Sequence, residues 1–160
     1  MPDISHGLLL ATKFHMPRLR PQLVPRSILI ERIQQGMEHA LTLISAPAGF
    51  GKTTLLAQWV AESGMPVSWL SLEPEDNEPV RFLSYLIAAL QAQDPQLGMN
   101  VLALLEASQA APLESALAVL TNELMHHETG DFVLILDDYH VISDEAIHRA
   151  LAFLLDHLPP

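Results

Sequence analysis

A chain of 160 residues, 49% of them hydrophobic, is long and apolar enough for one packed domain, which argues against wholesale disorder. It contains no cysteine, so disulfide frameworks, thiol catalysis and thiolate zinc sites are excluded. The formal charge of −11 divides into +3 through Lys52 and −14 from Thr53 onward, and so acidic a second part repels phosphate backbones and speaks against direct nucleic-acid binding.

The start "MPDISHGLLLATKFH" has only four consecutive apolar residues, Leu8 to Ala11, and no basic lead-in, so it does not read as a signal peptide. No apolar run approaches the ~18 residues a bilayer span needs. Together with the lack of cysteine this fits the cytoplasm and no membrane partner. Pro17, Pro21 and Pro25 favour an extended arm over residues 1–25. The pattern then predicts a helix from Ser27 to about Glu38 with Leu29, Ile30, Ile33 and Met37 inward. "ALTLISA" (40–46) reads as a buried strand running into a loop.

From Thr53 to Glu62, Leu55, Leu56, Trp59 and Val60 recur at helical spacing, with Gly64 as the C-terminal cap and Pro66 beyond. "VSWLSL" (67–72) reads as a second strand and "EPEDNE" as a polar connection. Pro79 opens a helix that buries Phe82, Leu83, Leu86, Ile87 and Leu90. A short helix is expected around Val101–Glu106. Leu113, Leu117, Leu120 and Leu124 form the core stripe of another. "FVLILD" (132–137) reads as a third strand buried on both faces. Ser143 is the expected cap of a last helix that buries Ala146, Ile147, Ala150, Leu151, Leu154 and Leu155. Strands separated by helices imply parallel crossovers and an open α/β sheet.

Two segments carry chemistry. "APAGFGKT" (46–53) matches the phosphate-loop spacing G-x-x-x-x-G-K-[ST] with Ala46 at the first position. That position only turns the chain out of its strand, so alanine serves there while φ stays negative. Gly49 and Gly51 can take positive φ and admit phosphate oxygens close to the backbone. Lys52 supplies a point charge for the β- and γ-phosphates, Thr53 a hydroxyl ligand for Mg²⁺, and the helix that begins there aims its dipole at the phosphates. Ala48, Gly49, Phe50, Gly51, Lys52, Thr53 and Thr54 are thus the candidate nucleotide-binding loop. "FVLILDD" ends a buried strand in two acids at the sheet's carboxyl edge, where ligands of open α/β folds bind. Asp137 is the candidate Mg²⁺ partner, alongside Thr53, and Asp138 the candidate catalytic residue that orients or deprotonates the attacking water. The histidines, including His126, His127, His140, His148 and His157, lack a compact metal-ligand spacing and read as surface residues.

The phrases "LLATKFHMPRLRPQLVPRSILIERI", "LISAPAGFGKTTLLAQW", "VSWLSLEPEDNEPVRFLSYLIAAL" and "FVLILDDYHVISDEAIHRALAFLLDHLPP" resemble the N-terminal ATPase module of MalT-like large LuxR-type transcriptional regulators, within the STAND class of signal-transduction NTPases. The resemblance implies a P-loop NTPase three-layer sandwich with a parallel sheet, ATP/ADP and Mg²⁺ as cofactors, and Val24, Pro25 and Arg26 beside the adenine. Residues 1–25 would then be an arm contributing to the adenine site and 26–160 a partial P-loop NTPase core. In the family, ATP and an inducer together drive self-association, hydrolysis is slow, and a distant helix-turn-helix binds the promoter. The resemblance also implies a sheet order 5-1-4-3-2, and the chain stops before the fourth strand and its sensor arginine. The fold is therefore expected to be incomplete at its C-terminus, with the fourth and fifth strands absent. After the phosphate loop only Arg81 and Arg149 remain, so nucleotide binding is expected to outlast turnover.

The leading expectation is an ATP/ADP-binding module of a signal-responsive regulator, a nucleotide switch with slow or lost hydrolysis. The alternatives are a non-enzymatic interaction segment that pairs with itself or a full-length relative, and a small P-loop phosphotransferase. The acidic second half offers no obvious basic lid for the last of these.

Overall fold

The structure, a computed structural model, describes residues 9–22, 24–107, 112–127 and 130–158. Among the described residues, six helices and two strands follow one another as α1 (Ser27–Gly36), α2 (Lys52–Ser63), β1 (Val67–Ser71), α3 (Pro79–Leu90), α4 (Met99–Ala107), α5 (Leu113–Met125), β2 (Val133–Asp137) and α6 (Glu145–His157). Single 3₁₀ turns add Ala11–Phe14, Pro74–Asp76 and Tyr139–Val141. β1 and β2 pair in parallel, Val67 opposite Val133 through Ser71 opposite Asp137. A parallel pair needs a long crossover, and here α3, α4 and α5 supply it. The result is an α/β arrangement with a two-stranded parallel sheet among the described residues.

Side chains alternate across a strand, so the two faces of this sheet build two cores. Trp69 and its register partner Ile135 join Ile33, Leu55 and Trp59 beneath α1 and α2. Leu70 faces the other way, into a larger core with Phe82, Leu86 and Ile87 of α3, Leu117 and Leu120 of α5, and Ile147 and Leu154 of α6. Helices therefore cover both faces. The Trp59 indole N–H donates to Gln34 Oε1 at 3.1 Å and ties α2 to α1. Gly64 closes α2 at φ +65, the left-handed conformation expected of that cap.

Several expectations are corrected. The chain from Leu41 to Pro47 forms no strand. Thr42, Ile44 and Ala46 are half-buried while Leu41 and Leu43 are 59% and 78% exposed, which is the alternation of an extended chain. What it lacks is a neighbour. The only ladder among the described residues joins β1 to β2, and strand geometry without a hydrogen-bonded partner does not make a strand. β2 is less enclosed than its apolar run suggests, with only Ile135 and Asp137 buried, because one of its edges is likewise uncovered.

Within the helices, Leu29 is 39% exposed and only Ile33 of α1 is fully buried. The cap of α6 is Asp144, whose carboxylate accepts from the amides of Ala146 and Ile147. Ser143 instead accepts from Asn77 Nδ2 at 3.0 Å.

The supposed polar connection 73–78 is a hydrogen-bonded hub. Asp76 is fully buried and accepts from the Glu73 amide, Asn77 Oδ1 accepts from the amides of Ser143 and Asp144, and Glu78 caps α3 at Val80 and Arg81. A buried polar side chain is stable only when so satisfied.

Candidate functional site

The phosphate-loop sequence folds as its glycines dictate. Gly49 and Gly51 both take left-handed backbone, φ +82 and +75, and Gly51 is the residue that opens α2. A Cβ at Gly49 would meet nothing within 4 Å, so that side of the turn is open. The first amides of α2, from Lys52 onward, have no intrahelical carbonyl and lie at the positive end of the helix dipole. Lys52 Nζ donates to the carbonyls of Ala46 at 2.8 Å and Pro47 at 3.2 Å, which keeps the ammonium on the loop. Ala48 and Phe50 are exposed on the turn, and Thr54 lies half-buried in the first turn of α2.

The second half of the site arrives from β2. Thr53 Oγ1 shares its hydroxyl hydrogen bond between the two oxygens of Asp137, at 3.0 and 2.9 Å. The loop and the strand end, 84 residues apart in sequence, are thereby joined. Asp137 is 5% exposed, and its carbonyl accepts from the Leu72 amide, which fixes the end of β2 against β1. Burial pushes the Asp137 carboxyl above its ordinary range and the charge of Asp138 adds to this, against the opposing Thr53 hydrogen bond and the Lys52 charge. A buried carboxylate held up in this way gains from a cation beside it.

That shift has a measurable consequence. A carboxyl with a raised folded pKa favours the fold only where it is protonated, and this contribution is lost as pH rises through the folded pKa. Above its folded pKa, Asp137 therefore costs stability. Asp137→Asn is expected to raise the melting temperature of the ligand-free protein at pH 7. The gain should vanish below the ordinary carboxyl range, where aspartate is itself neutral. Melting curves across pH 3–8 for the two proteins check this.

Asp138 follows at φ +58, the one non-glycine residue with positive φ among the described residues. Its amide donates to Asp137 Oδ1 at 3.1 Å, and its half-exposed carboxylate lies 3.7 Å from His140 Nδ1. A left-handed aspartate is a strained turn, of the sort that aims a side chain out of a strand end. Behind it, Tyr139 and His148 share a hydrogen bond at 2.5 Å, and burial pushes the Tyr139 phenol upward.

The arm reaches the same place. Arg26 Nη1 donates to the Phe50 carbonyl at 3.0 Å, and a Cβ on Gly51 would stand 3.2 Å from the guanidinium. The Val24 carbonyl accepts weakly from Gln58 Nε2 at 3.5 Å, while the Val24 side chain is 78% exposed. The structure thus brings Arg26 across the loop, while Val24 reaches α2 at Gln58.

What the residue pattern did not reveal is the anchor of that arm. Lys13, 3% exposed, is paired with Asp76 and lies 3.0 Å from Glu73 and 4.5 Å from the centre of the Tyr85 ring. Arg81 Nε donates to the other Asp76 oxygen at 3.1 Å. Burial lowers the Lys13 pKa, but the bonds to Asp76 and Glu73 outweigh it and hold the ammonium above its ordinary value. Burial likewise raises Asp76, and Lys13, the Glu73 amide and Arg81 outweigh it and hold the carboxyl below its ordinary range. The pair stays ionised across the neutral range. A lone lysine in "ATKF" carries no sequence signal for this, since lysines are rarely buried.

Among the described residues, no helix is long and apolar enough to cross a membrane. No family model matches the chain. It is 38% identical over 152 residues to the protein named HTH-type transcriptional regulator MalT of Yersinia enterocolitica, and equally so to that of Yersinia pestis and that of Yersinia pseudotuberculosis. In each case the match covers 95% of this chain and 17% of the relative, so the chain spans about one sixth of those proteins' length. The resemblance expected from the sequence is therefore shown: 95% of this chain is similar to part of the proteins named HTH-type transcriptional regulator MalT.

Proposed function

We propose that the chain is the ATP/ADP-binding part of a signal-responsive, cytoplasmic transcriptional regulator and works as a nucleotide switch within a P-loop NTPase fold. The observation that carries this is the Thr53–Asp137 contact, which unites a glycine-turned loop carrying Lys52 with the acidic end of a parallel strand. In this reading, residues 1–25 are an arm contributing to the adenine site and residues 26–160 a partial P-loop NTPase core.

The residues suit the ligand. Open space at Gly49, the amides at the start of α2 and the Lys52 ammonium fit an anionic polyphosphate. Thr53 and Asp137 are hard oxygen donors fit for Mg²⁺, which when bound would neutralise charge on the β- and γ-phosphates. Val24, Pro25 and Arg26 would flank the adenine. Asp138, aimed outward by its left-handed backbone, would orient a water or take its proton. Lys52 and Arg26 are the basic side chains placed at the loop, while Arg81 is committed to Asp76. In this reading hydrolysis is slow or lost.

A thermal-shift measurement tests the reading. ADP with Mg²⁺ at 100 times its Kd should add about 2.7 kcal/mol and raise the melting temperature by several degrees. No shift at millimolar ADP would count against it. A second reading, association with another chain, is favoured by the exposed Leu41 and Leu43 and by the unpaired edges of the two-stranded sheet among the described residues. Under that reading, Leu41→Ser with Leu43→Ser is expected to lower the apparent mass in light scattering, and an unchanged mass would remove the support.

A further inference from the structure

We propose that Arg26 is a positioning residue for phosphate: by holding the Phe50 carbonyl it sets the Phe50–Gly51 peptide so that the Gly51 amide is free to donate to an anion. The inference rests on the nucleotide reading above and gives Arg26, expected beside the adenine, a task at the phosphates.

Three successive peptide units form the turn that opens α2, and the outer two are held by the chain next to them. The Gly49–Phe50 unit is held through its amide, which donates to the Pro47 carbonyl at 3.4 Å. The Gly51–Lys52 unit is held through its carbonyl, which accepts from the Leu55 amide at 2.9 Å. The Phe50–Gly51 unit between them has no such bond. Among the described residues the Gly51 amide donates to nothing, and the Phe50 carbonyl accepts from no backbone amide, that of Thr54 included. Its partner is Arg26 Nη1 at 3.0 Å.

That middle unit is also the one able to rotate. A peptide plane turns by changing ψ of the residue before it and φ of the residue after it, and a glycine accepts either sign of φ. Gly51 has φ +75. In a trans peptide the C=O and N–H point in opposite directions. With the carbonyl drawn to the guanidinium, the Gly51 N–H faces away from it, on the side left to a ligand. A reversed plane would set the carbonyl oxygen there and repel phosphate. The bare Cα of Gly51 makes room for the brace, since a Cβ would stand 3.2 Å from Nη2 and 3.3 Å from Nη1 of Arg26.

Arg26 can serve as a fixed point because its backbone belongs to another helix. Its carbonyl accepts from the amides of Leu29 and Ile30 at 2.9 and 3.0 Å, which seats it at the start of α1. Helix α1 is in turn locked on α2 by the Trp59–Gln34 bond and by Ile33 packed with Leu55 and Trp59. The Arg26 side chain is exposed and takes no part in capping α1, so its removal opens no core. If the peptide then holds the donating orientation about one-tenth of the time, the apparent affinity for phosphate falls about tenfold.

The experiment is calorimetric titration of ADP and of inorganic tripolyphosphate, which has no base, each with Mg²⁺, into wild type and Arg26→Ala. It is paired with the nuclear Overhauser effect between Phe50 Hα and the Gly51 amide in the two ligand-free proteins, whose intensity follows ψ of Phe50. Positioning predicts a loss of about tenfold for both ligands, a changed Overhauser intensity and a retained melting transition. If Arg26→Ala does not fold, Arg26→Met keeps the stem, removes the donors and carries the same expectations. A loss for ADP alone would mean that Arg26 reads the base, and a loss for both with an unchanged Overhauser intensity that its charge meets the phosphates directly. Either result, no loss for either ligand, or a wild type that binds ADP but not tripolyphosphate would overturn the positioning role alone. A wild type that binds neither would overturn the nucleotide reading and this role with it.

Discussion

Lys52→Ala is expected to lower the affinity for ATP and ADP by about 30-fold or more while leaving the fold intact. Lys52 stands at the first position of α2, half-buried, and its ammonium is engaged only with the Ala46 and Pro47 carbonyls of its own loop. Removing one partner of a desolvated, hydrogen-bonded charge pair costs about 2–5 kcal/mol, and each 1.4 kcal/mol is about tenfold in affinity. Its contribution to the empty fold is two hydrogen bonds to carbonyls that solvent can reach, worth about 1 kcal/mol each at most. The two readouts therefore separate: titration shows the large effect, and the melting temperature shows a small one. Equal affinity in both proteins would mean that the loop does not carry the phosphates.

Gly98→Ala is expected to be the most damaging single-methyl substitution for stability, at about 3 kcal/mol. Gly98 has φ +76, and a Cβ there would stand 2.3 Å from Cγ2 of Ile87, a side chain with no exposed surface. Ile87 cannot withdraw, because it sits in the middle of the larger core. The Gly98 amide also donates to Glu123, which further accepts from the amide and side chain of Asn100, so the same turn joins α4 to α5. Gly64→Ala is the control. That residue is equally left-handed at φ +65, yet a Cβ would meet nothing within 4 Å, so it should cost only the backbone strain of about 1–2 kcal/mol. Urea denaturation of the two variants separates clash from conformation.

Much of this arrangement was legible in the residues, because it is written in periodicity and turn chemistry. The cap at Gly64, Pro79 in the first turn of α3, the buried set Phe82, Leu83, Leu86, Ile87 and Leu90, and the stripe through Leu117 and Leu120 all follow from local rules. The juxtaposition of Thr53 with Asp137 was legible for a different reason: a parallel strand ending in an acid and a loop opening a helix meet at the same sheet edge.

Where the reading failed, the cause was non-local. Residues 40–46 have strand-like composition, but a strand is defined by a partner, and none of the described residues provides one. Lys13 and Asp76 look like surface charges until each is seen to satisfy the other. Ser143 and Asp144 are both good caps, and Asn77, 66 residues away, takes Ser143 and leaves the cap to Asp144.

The most direct measurement of the central claim is a calorimetric titration of the chain with ATP and ADP, with and without Mg²⁺, at neutral pH. The account predicts saturable binding at one site per chain, strengthened by Mg²⁺ through Thr53 and Asp137. Absence of saturable binding for either nucleotide up to millimolar concentration, in protein with a cooperative melting transition, would contradict it.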